Sequence, residues 1–373
     1  MMHWLPRTYW EIAVLSFLVA LVTTPVWIVL AKALGAVDRP IGRKVHDRPI
    51  PYLGGLAFHA SYAAVFVYVI HRCPFLLESS AWLEKWVVLF VGATMILLVG
   101  IYDDLCSMAP KWKLLAQVLV AFFLVAFGFR FELVTNPFGG GQVSLGAAGW
   151  ILSVFWIVGI ANAINLVDGL DGLAAGVVFF AACANLAIAL SPWQGFVSLV
   201  SLVLIGTTLG FLPYNFHPAK IFMGDAGALY LGFLLGAGAI ENSVKSTTVL
   251  SLLFPLVALL LPILDTGLAV IRRSRRGQHP FAPDREHIHH RLLQLGLSHR
   301  HAVLLLHGLC FLLAVSAYLG SRLPNHLTIL FLIVLGGTVM WGFWVFSYLN
   351  RKIAQLSSSP GSDGSSAAEH KKP

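Results

Sequence analysis

The chain has 373 residues, of which 58% are hydrophobic and only 11% are charged, and its mean hydropathy is +0.80. Because a soluble domain carries about 25% charged residues, this composition excludes an ordinary soluble protein and predicts a polytopic membrane protein. The formal net charge of +8 is attributed to basic cytoplasmic loops, and no nucleic acid is expected as a partner.

Apolar windows of roughly 15–22 residues mark the predicted spans. They predict an all-α polytopic membrane protein with about eleven transmembrane helices. The windows lie near 12–34, 54–70, 86–102, 114–128, 149–164, 173–190, 196–212, 227–240, 249–271, 302–319 and 327–349. The window 227–240 is the weakest, because it is short and rich in glycine.

The distribution of Lys and Arg predicts the orientation of the chain in the membrane. With the N-terminus outside, nineteen of these residues fall on the inner side and six on the outer side. Since basic residues accumulate in cytoplasmic loops, the N-terminus is predicted to lie outside and the C-terminus in the cytoplasm.

Two segments outside the spans have a composition of their own. Residues 131–146, FELVTNPFGGGQVSLG, contain two short β-prone pieces around Pro137, which predicts an outer β-hairpin. The last residues, from Ser357 onward, have the composition of disorder. We therefore assign 1–356 to one integral membrane domain and 357–373 to a disordered cytoplasmic tail.

Four loops on the predicted cytoplasmic face collect the unusual polar residues of the chain. These are Asp103, Asp104 and Lys113 after the third window, Asn165, Asp168 and Asp171 after the fifth, Asp225 after the seventh, and Arg285, His287, His289 and His290 after the ninth. A carboxylate at bilayer depth costs about 2.5–3.5 kcal/mol and is usually retained for function. The clustering on one face therefore predicts a functional site.

The segment 162–176, NAINLVDGLDGLAAG, carries a polar residue at every third position of its first half. On a helix this spacing drifts by about 60° per step, so Asn162, Asn165 and Asp168 are predicted to share one side of a helix end. The structural alternative is that these residues only cap a helix at an ordinary loop.

Asp225 stands in the sequence Met-Gly-Asp-Ala-Gly, where glycine lets the backbone approach a ligand closely. Carboxylates from separate loops suit Mg²⁺, which takes one or two of them and completes its shell with water and phosphate. The acidic pair Asp103-Asp104 taken alone fits an ordinary loop equally well. Together the acids predict a Mg²⁺ site, with Mn²⁺ as a substitute, and a phosphate-bearing substrate.

The histidine-rich loop DREHIHHRLLQLG predicts a second part of the site. Its three imidazoles beside Arg285 and Arg291 form a dense hydrogen-bonding and cationic patch that suits a pyrophosphate or a sugar. A zinc site is the alternative for the histidines. It is disfavoured because no cysteine accompanies them and their spacing is not that of a paired helical site.

These motifs resemble those of the bacterial polyprenyl-phosphate N-acetylhexosamine-1-phosphate transferases. They follow the family's order over residues 38–296, from DRPIGRKVHDRPIPYLGGLAF through GIYDDL, NAINLVDGLDGLAAG, FMGDAGALYLGF and PILDT to HPFAPDREHIHHRLLQLG. The HIHH form of the last loop resembles the N-acetylglucosamine branch.

The resemblance implies transfer of N-acetylglucosamine-1-phosphate from UDP-N-acetylglucosamine to undecaprenyl phosphate, with UMP as the second product. This is the first membrane step of a cell-envelope glycopolymer, such as teichoic acid or O-antigen. The family places the reaction on the cytoplasmic side of the bacterial inner membrane and uses Mg²⁺. Whether the protein forms a homodimer is left open.

The resemblance also implies a role for each polar residue. Asp225, Asn165 and Asp168 match positions that contact metal or diphosphate. Asp103, Asp104 and Asp168 are assigned to catalysis. The residues assigned to substrate binding are Asp171, Lys113, Lys44, Arg285, His287, His289 and His290.

Two alternatives stay open at this point. A sibling transferase would use another UDP-N-acetylhexosamine or UDP-MurNAc-pentapeptide. An ion-coupled transporter would place carboxylates near mid-span, preferably in two related halves. The clustering of the acids on one face and the lack of an internal repeat disfavour the transporter.

Overall fold

The computed structural model describes residues 5–39, 49–72, 80–135, 142–190, 195–244, 253–277 and 287–358. Its helices are α1 (Leu5–Ala33), α2 (Gly55–Arg72), α3 (Ser80–Cys106), α4 (Pro110–Ala126), α5 (Gly146–Val167), α6 (Leu173–Leu190), α7 (Gly195–Asn215), α8 (Gly224–Val244), α9 (Leu253–Ala258), α10 (Leu260–Arg275), α11 (Ile288–Gln294), α12 (His299–Gly320) and α13 (Asn325–Ser358). Its strands are β1 (Val37–Asp38), β2 (Ile50–Pro51), β3 (Leu133–Thr135) and β4 (Gln142–Ser144).

The predicted class, an all-α polytopic membrane protein, is confirmed. Within the described residues, six helices are long and apolar enough to cross a membrane: Arg7–Ala33, Trp82–Cys106, Gly146–Val167, Leu173–Leu190, Gly195–Asn215 and His299–Gly320. The other five predicted windows overlap α2, α4, α8, the α9–α10 pair and α13. The number of eleven spans stays a prediction.

The window 249–271, predicted as one span, does not form one continuous helix in its described part. Its described part is divided at Leu259 into α9 and α10. Pro262 explains the break, because a proline has no N–H to donate and its ring clashes with the carbonyl four residues earlier. That carbonyl belongs to Ala258, the last residue of α9.

The predicted hairpin is confirmed, its outer location stays a prediction, and a second strand pair adds to it. β3 pairs antiparallel with β4, with Val134 opposite Val143. β1 pairs antiparallel with β2, and the backbone beyond β2 is bonded to the segment before α8: Phe222 N–H donates to Pro51 O at 2.9 Å, and Gly54 N–H to Phe222 O at 3.1 Å. These bonds fix the backbone that leads to Asp225.

Helix α8 forms the centre of the core, and its residues 226–241 are all buried. Its neighbours come close because glycines line the contacts. A Cβ at Gly100 of α3 would lie 2.3 Å from Ala226 Cα, and a Cβ at Gly232 of α8 would lie 2.6 Å from Ala161 Cα of α5. The high glycine content made 227–240 the weakest predicted span. In the structure these glycines allow neighbouring helices to pack closely against α8.

An ion pair fixes the register of α3 against α8 at the end away from the predicted site. Lys85 Nζ lies 2.6 and 2.7 Å from the two carboxylate oxygens of Glu241, whose side chain is 1% exposed. Because α3 and α8 run antiparallel, this contact places Asp103 and Asp104 beside the N-terminus of α8.

The chain divides into two compact units, one ending at Thr328 and the other beginning at Ile329. Within the described residues the second unit consists of α13 from Ile329 onward. The assignment of 1–356 to one membrane domain stays a prediction. The tail predicted to be disordered lies, from residue 359 onward, outside the described residues.

Candidate active site

The loops after α3, α5 and α7 meet at one cavity of about 940 Å³. Six predicted site residues line it: Asp103, Asp104, Asn165, Asp168, Asp171 and Asp225. The sequence therefore identified residues that the fold brings together from three separate loops. Asp38, Tyr52, Asn215, His217 and His299 also line the cavity and were not predicted.

Asp225 is held in place through both of its carboxylate oxygens. It lies in the first turn of α8, directly after Gly224, whose φ of +70° favours glycine. Asn165 Nδ2 donates to Oδ1, and Lys113 Nζ lies 2.9 Å from Oδ2. The side chain remains about one-third exposed, so the carboxylate is oriented by α4 and α5 while it faces the cavity.

Lys113 links Asp225 to the first acid of the Asp103-Asp104 pair. Its Nζ lies 2.7 Å from Asp103 Oδ2, and the other oxygen of Asp103 accepts the backbone N–H of Met108 at 2.7 Å. The ammonium thus stands between two carboxylates from α3 and α8. Asp103 is buried, and both of its oxygens are already bonded to protein groups.

Asp104 bonds instead to the backbone at the N-terminus of α8. Its Oδ1 accepts the N–H of Asp225 at 2.8 Å, and its Oδ2 accepts the N–H of Ala226 at 3.0 Å. A Cβ at Gly224 would lie 2.5 Å from Asp104 Oδ2, so the approach also depends on that glycine. A carboxylate in this position satisfies unpaired helix N–H groups and interacts favourably with the helix dipole.

Asp168 follows the last residue of α5 and lies deep in the cavity, with part of its surface open to it. Burial disfavours its charged form, and the nearby carboxylates of Asp225, Asp104 and Asp171 add like-charge repulsion. Together these effects raise the pKa of Asp168 to about 8. The raised pKa therefore reflects burial first and the neighbouring negative charges second.

This donor set fits a divalent cation of the Mg²⁺ type. Hard carboxylate and amide oxygens line one cavity, and repulsion between the carboxylates adds to the effect of burial on the pKa of Asp168. A bound cation would relieve that repulsion. In the predicted set, Asp225, Asn165 and Asp168 would hold it.

Asp171 organises another part of the cavity wall together with two histidines. Its Oδ2 lies 2.8 Å from His217 Nδ1 and accepts the N–H of Ala219 at 3.1 Å, while its own N–H donates to His299 Nε2 at 2.9 Å. The two imidazoles stack with their centroids 4.2 Å apart. Ligand atoms of Asp171, His217 and His299 lie within 4.8 Å of one another, which is close enough for a metal ion. The hydrogen bonds between these residues already explain the arrangement as part of the cavity wall.

Asn215 is a further residue that sequence reasoning missed. Its Oδ1 accepts the N–H of Gly172 at 3.1 Å, and its Nδ2 donates to Ile221 O at 3.0 Å. It thus ties the start of α6 to the segment that leads into α8. A polar amide at the end of an apolar helix was a signal in the sequence that could have identified it.

Two histidines of the histidine-rich loop, His287 and His289, are buried beside the site. Asp265 of α10 accepts the backbone N–H of Ile288 at 3.0 Å and lies 2.9 Å from His287 Nδ1. His289 is buried, and a Cβ at Gly169 would lie 2.3 Å from its Nε2. Burial, aided by His290, lowers the pKa of His289 to about 3, so this ring is neutral at physiological pH.

The description of the loop as a cationic patch is therefore wrong for His289, because burial of an imidazole disfavours its charged form. The structure places His289 behind Gly169, which itself lines the cavity. Asp265, in the PILDT motif, was assigned no role from the sequence. Lys44 and Arg285 lie outside the described residues, and their assignments stay predictions.

Comparison with known proteins decides the family. Residues 86–243 match the family profile described as Glycosyl transferase family 4. The chain is 42% identical over 305 residues to the probable undecaprenyl-phosphate N-acetylglucosaminyl 1-phosphate transferase of Bacillus subtilis (strain 168), covering 82% of each chain. The chain belongs to glycosyl transferase family 4. The family expected from the resemblance is thereby confirmed.

Two further relatives extend the similarity. The decaprenyl-phosphate N-acetylglucosaminephosphotransferase of Mycolicibacterium smegmatis is 38% identical over 321 residues, which cover 80% of this chain and 79% of that protein. The undecaprenyl-phosphate alpha-N-acetylglucosaminyl 1-phosphate transferase of Escherichia coli (strain K12) is 32% identical over 286 residues, covering 74% of each. The family profile spans α3 to α8, the helices that carry Asp103, Lys113, Asn165 and Asp225.

Proposed function

We propose that the protein transfers N-acetylglucosamine-1-phosphate from UDP-N-acetylglucosamine to undecaprenyl phosphate. The products are undecaprenyl-diphospho-N-acetylglucosamine and UMP. The observation that carries the proposal is Asp225, oriented by Lys113 and Asn165 at a cavity lined by five other carboxylates. The names of the relatives support the same donor sugar and a polyprenyl phosphate acceptor.

In the proposed reaction an oxygen of the lipid phosphate attacks the phosphorus that carries the sugar. The bond from that phosphorus to the bridging oxygen breaks, and the bridging oxygen leaves with UMP. A phosphate monoester has a second pKa near 6, so the nucleophile is largely ionised at neutral pH and needs no strong base. This agrees with Asp103, whose oxygens are bonded to Lys113 and to the N–H of Met108.

The residues of the site supply positioning and charge, which dominate phosphoryl transfer. Lys113 offers an ammonium group beside the acids, and Asp104 fixes the N-terminus of α8 that carries Asp225. We propose that Asp225, Asn165 and Asp168 hold Mg²⁺, or Mn²⁺ in its place. When bound, this cation neutralises charge on the diphosphate and on the departing UMP.

The location of the reaction is also a proposal. A UDP-sugar is soluble and a polyprenyl phosphate is confined to the bilayer, so the cavity must be reached from both. We place the cavity on the cytoplasmic side of the bacterial inner membrane, with the N-terminus outside and the C-terminus in the cytoplasm. The step would begin a cell-envelope glycopolymer such as teichoic acid or O-antigen. A homodimer stays a prediction.

The test is UMP release by the purified protein in detergent, given undecaprenyl phosphate and UDP-N-acetylglucosamine with either Mg²⁺ or EDTA. We expect release that requires the lipid and the cation. Competition with UDP-N-acetylgalactosamine and UDP-MurNAc-pentapeptide separates the sibling transferases. Folded protein that releases no UMP from any of these donors would contradict the proposal.

A further inference from the structure

A pair of amide side chains joins α4 to α5 one helical turn behind the cavity. Asn162 Nδ2 donates to Gln117 Oε1 and to Val158 O at 2.8 Å, and Gln117 Nε2 donates back to Asn162 Oδ1 at 3.4 Å. Gln117 is 2% exposed. A buried amide without a partner is costly, so each side chain constrains the position of the other.

The amide pair lies next to the residues that hold Asp225. Lys113 precedes Gln117 by four residues on α4, and Asn165 follows Asn162 by three residues on α5. Residues three or four apart lie on the same helix face. The contact between the amides therefore fixes the two helix faces from which Lys113 and Asn165 project.

Lys113 and Asn165 approach Asp225 from different helices. Lys113 Nζ contacts Oδ2, and Asn165 Nδ2 donates to Oδ1. The direction of this carboxylate consequently depends on the spacing of α4 and α5. Asn162 does not line the cavity, although its spacing with Asn165 placed it on the same helix side.

We propose that Gln117 and Asn162 are positioning residues, which set the spacing of Lys113 and Asn165 around Asp225. The inference rests on the proposed function, because the orientation of Asp225 matters through the transfer reaction. Neither amide lines the cavity. Their effect should appear in the turnover rate rather than in binding of the UDP-sugar.

The two side chains can be exchanged without changing their combined length. The test compares the wild type, Gln117→Asn, Asn162→Gln and the double exchange. Each single variant shortens or lengthens the link by one methylene, and the double variant restores it. A displacement of reacting groups by about 1 Å can cost about a hundredfold in rate.

We expect each single variant to lower kcat for UMP release by between about tenfold and a hundredfold, with KM for UDP-N-acetylglucosamine nearly unchanged. The double exchange should recover most of the lost kcat. Val120→Ala is the matched control, because Val120 lies on α4, is buried, and is one turn farther from Lys113. It should lower thermal stability and leave kcat unchanged.

A second measurement does not depend on the reaction. Amine-reactive labelling followed by mass spectrometry reports how firmly Lys113 is held between its two carboxylates. The exposed Lys111 on the same helix is the internal reference. Labelling of Lys113 relative to Lys111 should rise several-fold in each single variant and return in the double exchange.

The outcomes separate this inference from the proposed function. A wild type without UMP release would contradict the proposed function, and the labelling ratios would still test the amide pair. Wild-type kcat and labelling in the single variants would overturn the inference. So would a double exchange no better than the worse single variant.

Discussion

The contacts of Asp104 predict that it acts mainly by holding the N-terminus of α8. Asp104→Ala removes acceptors for two backbone N–H groups, at 2.8 and 3.0 Å. Loss of a helix N-terminal acceptor costs about 0.5–2 kcal/mol, and a second unsatisfied buried donor costs about 1–3 kcal/mol. We expect the free energy of unfolding to fall by about 2–4 kcal/mol, whereas Asp104→Asn, which keeps one acceptor oxygen, should lose about half of that.

The assay measures thermal unfolding in detergent and kcat for UMP release on the same preparations. Asp104→Asn should keep measurable turnover, because Asp225 remains close to its position, while Asp104→Ala should be far less active. The matched control is Glu84→Ala, at an exposed position on the same helix. It should change neither quantity.

Two results would refute this reasoning. If Asp104→Ala unfolds at the wild-type temperature, the bonds to α8 do not stabilise the protein. If Asp104→Asn is as inactive as Asp104→Ala while remaining fully folded, the carboxylate takes part in catalysis directly, as its match to the family's acidic pair implied.

Three other variants test the remaining assignments. Asp225→Asn should lower kcat by at least about a hundredfold, the usual loss for a central electrostatic group, without unfolding the protein; near-normal kcat would remove Asp225 from the site. Asp168 is largely protonated below its raised pKa of about 8, so Mg²⁺ binding should release protons and tighten by up to about tenfold per pH unit between pH 6 and 8. Titration calorimetry in buffers of different ionisation enthalpy measures this, and an equal pH dependence in Asp168→Asn would contradict it. Lys85→Met leaves Glu241 buried without its partner and should cost about 3–5 kcal/mol, yet leave kcat of the folded protein unchanged, because Glu241 is about 24 Å from Asp225 along α8.

The apolar helices could be located from the sequence because the membrane requires long apolar segments, which can be recognised without knowing their neighbours. Hydropathy was a poor guide to the helices whose position or continuity depends on tertiary packing. The glycines that made 227–240 look weak are the residues that admit α3 and α5 to the most buried helix. The break at Leu259 had a signal in Pro262, which hydropathy does not register.

Residue type and predicted face were also enough to identify five of the six acids that line the cavity, all except Asp38. The supporting residues were harder to find, because their roles depend on partners distant in sequence. Asp265 bonds to the backbone of Ile288 in the histidine-rich loop, and Asn215 bonds to Gly172. In the sequence each is an isolated polar residue on a helix, and only the folded structure shows its hydrogen-bond partner.

The acidic pair illustrates what local geometry could have indicated and what it could not. Asp103 and Asp104 belong to the last turns of α3, where successive side chains point about 100° apart. Two adjacent acids on a helix therefore point in different directions, so a division of roles was predictable. Only the packing of α4 and α8 against α3 decides which acid meets Lys113 and which meets the N–H groups of α8. One residue pair can thus hold both the lysine and the helix that converge on Asp225.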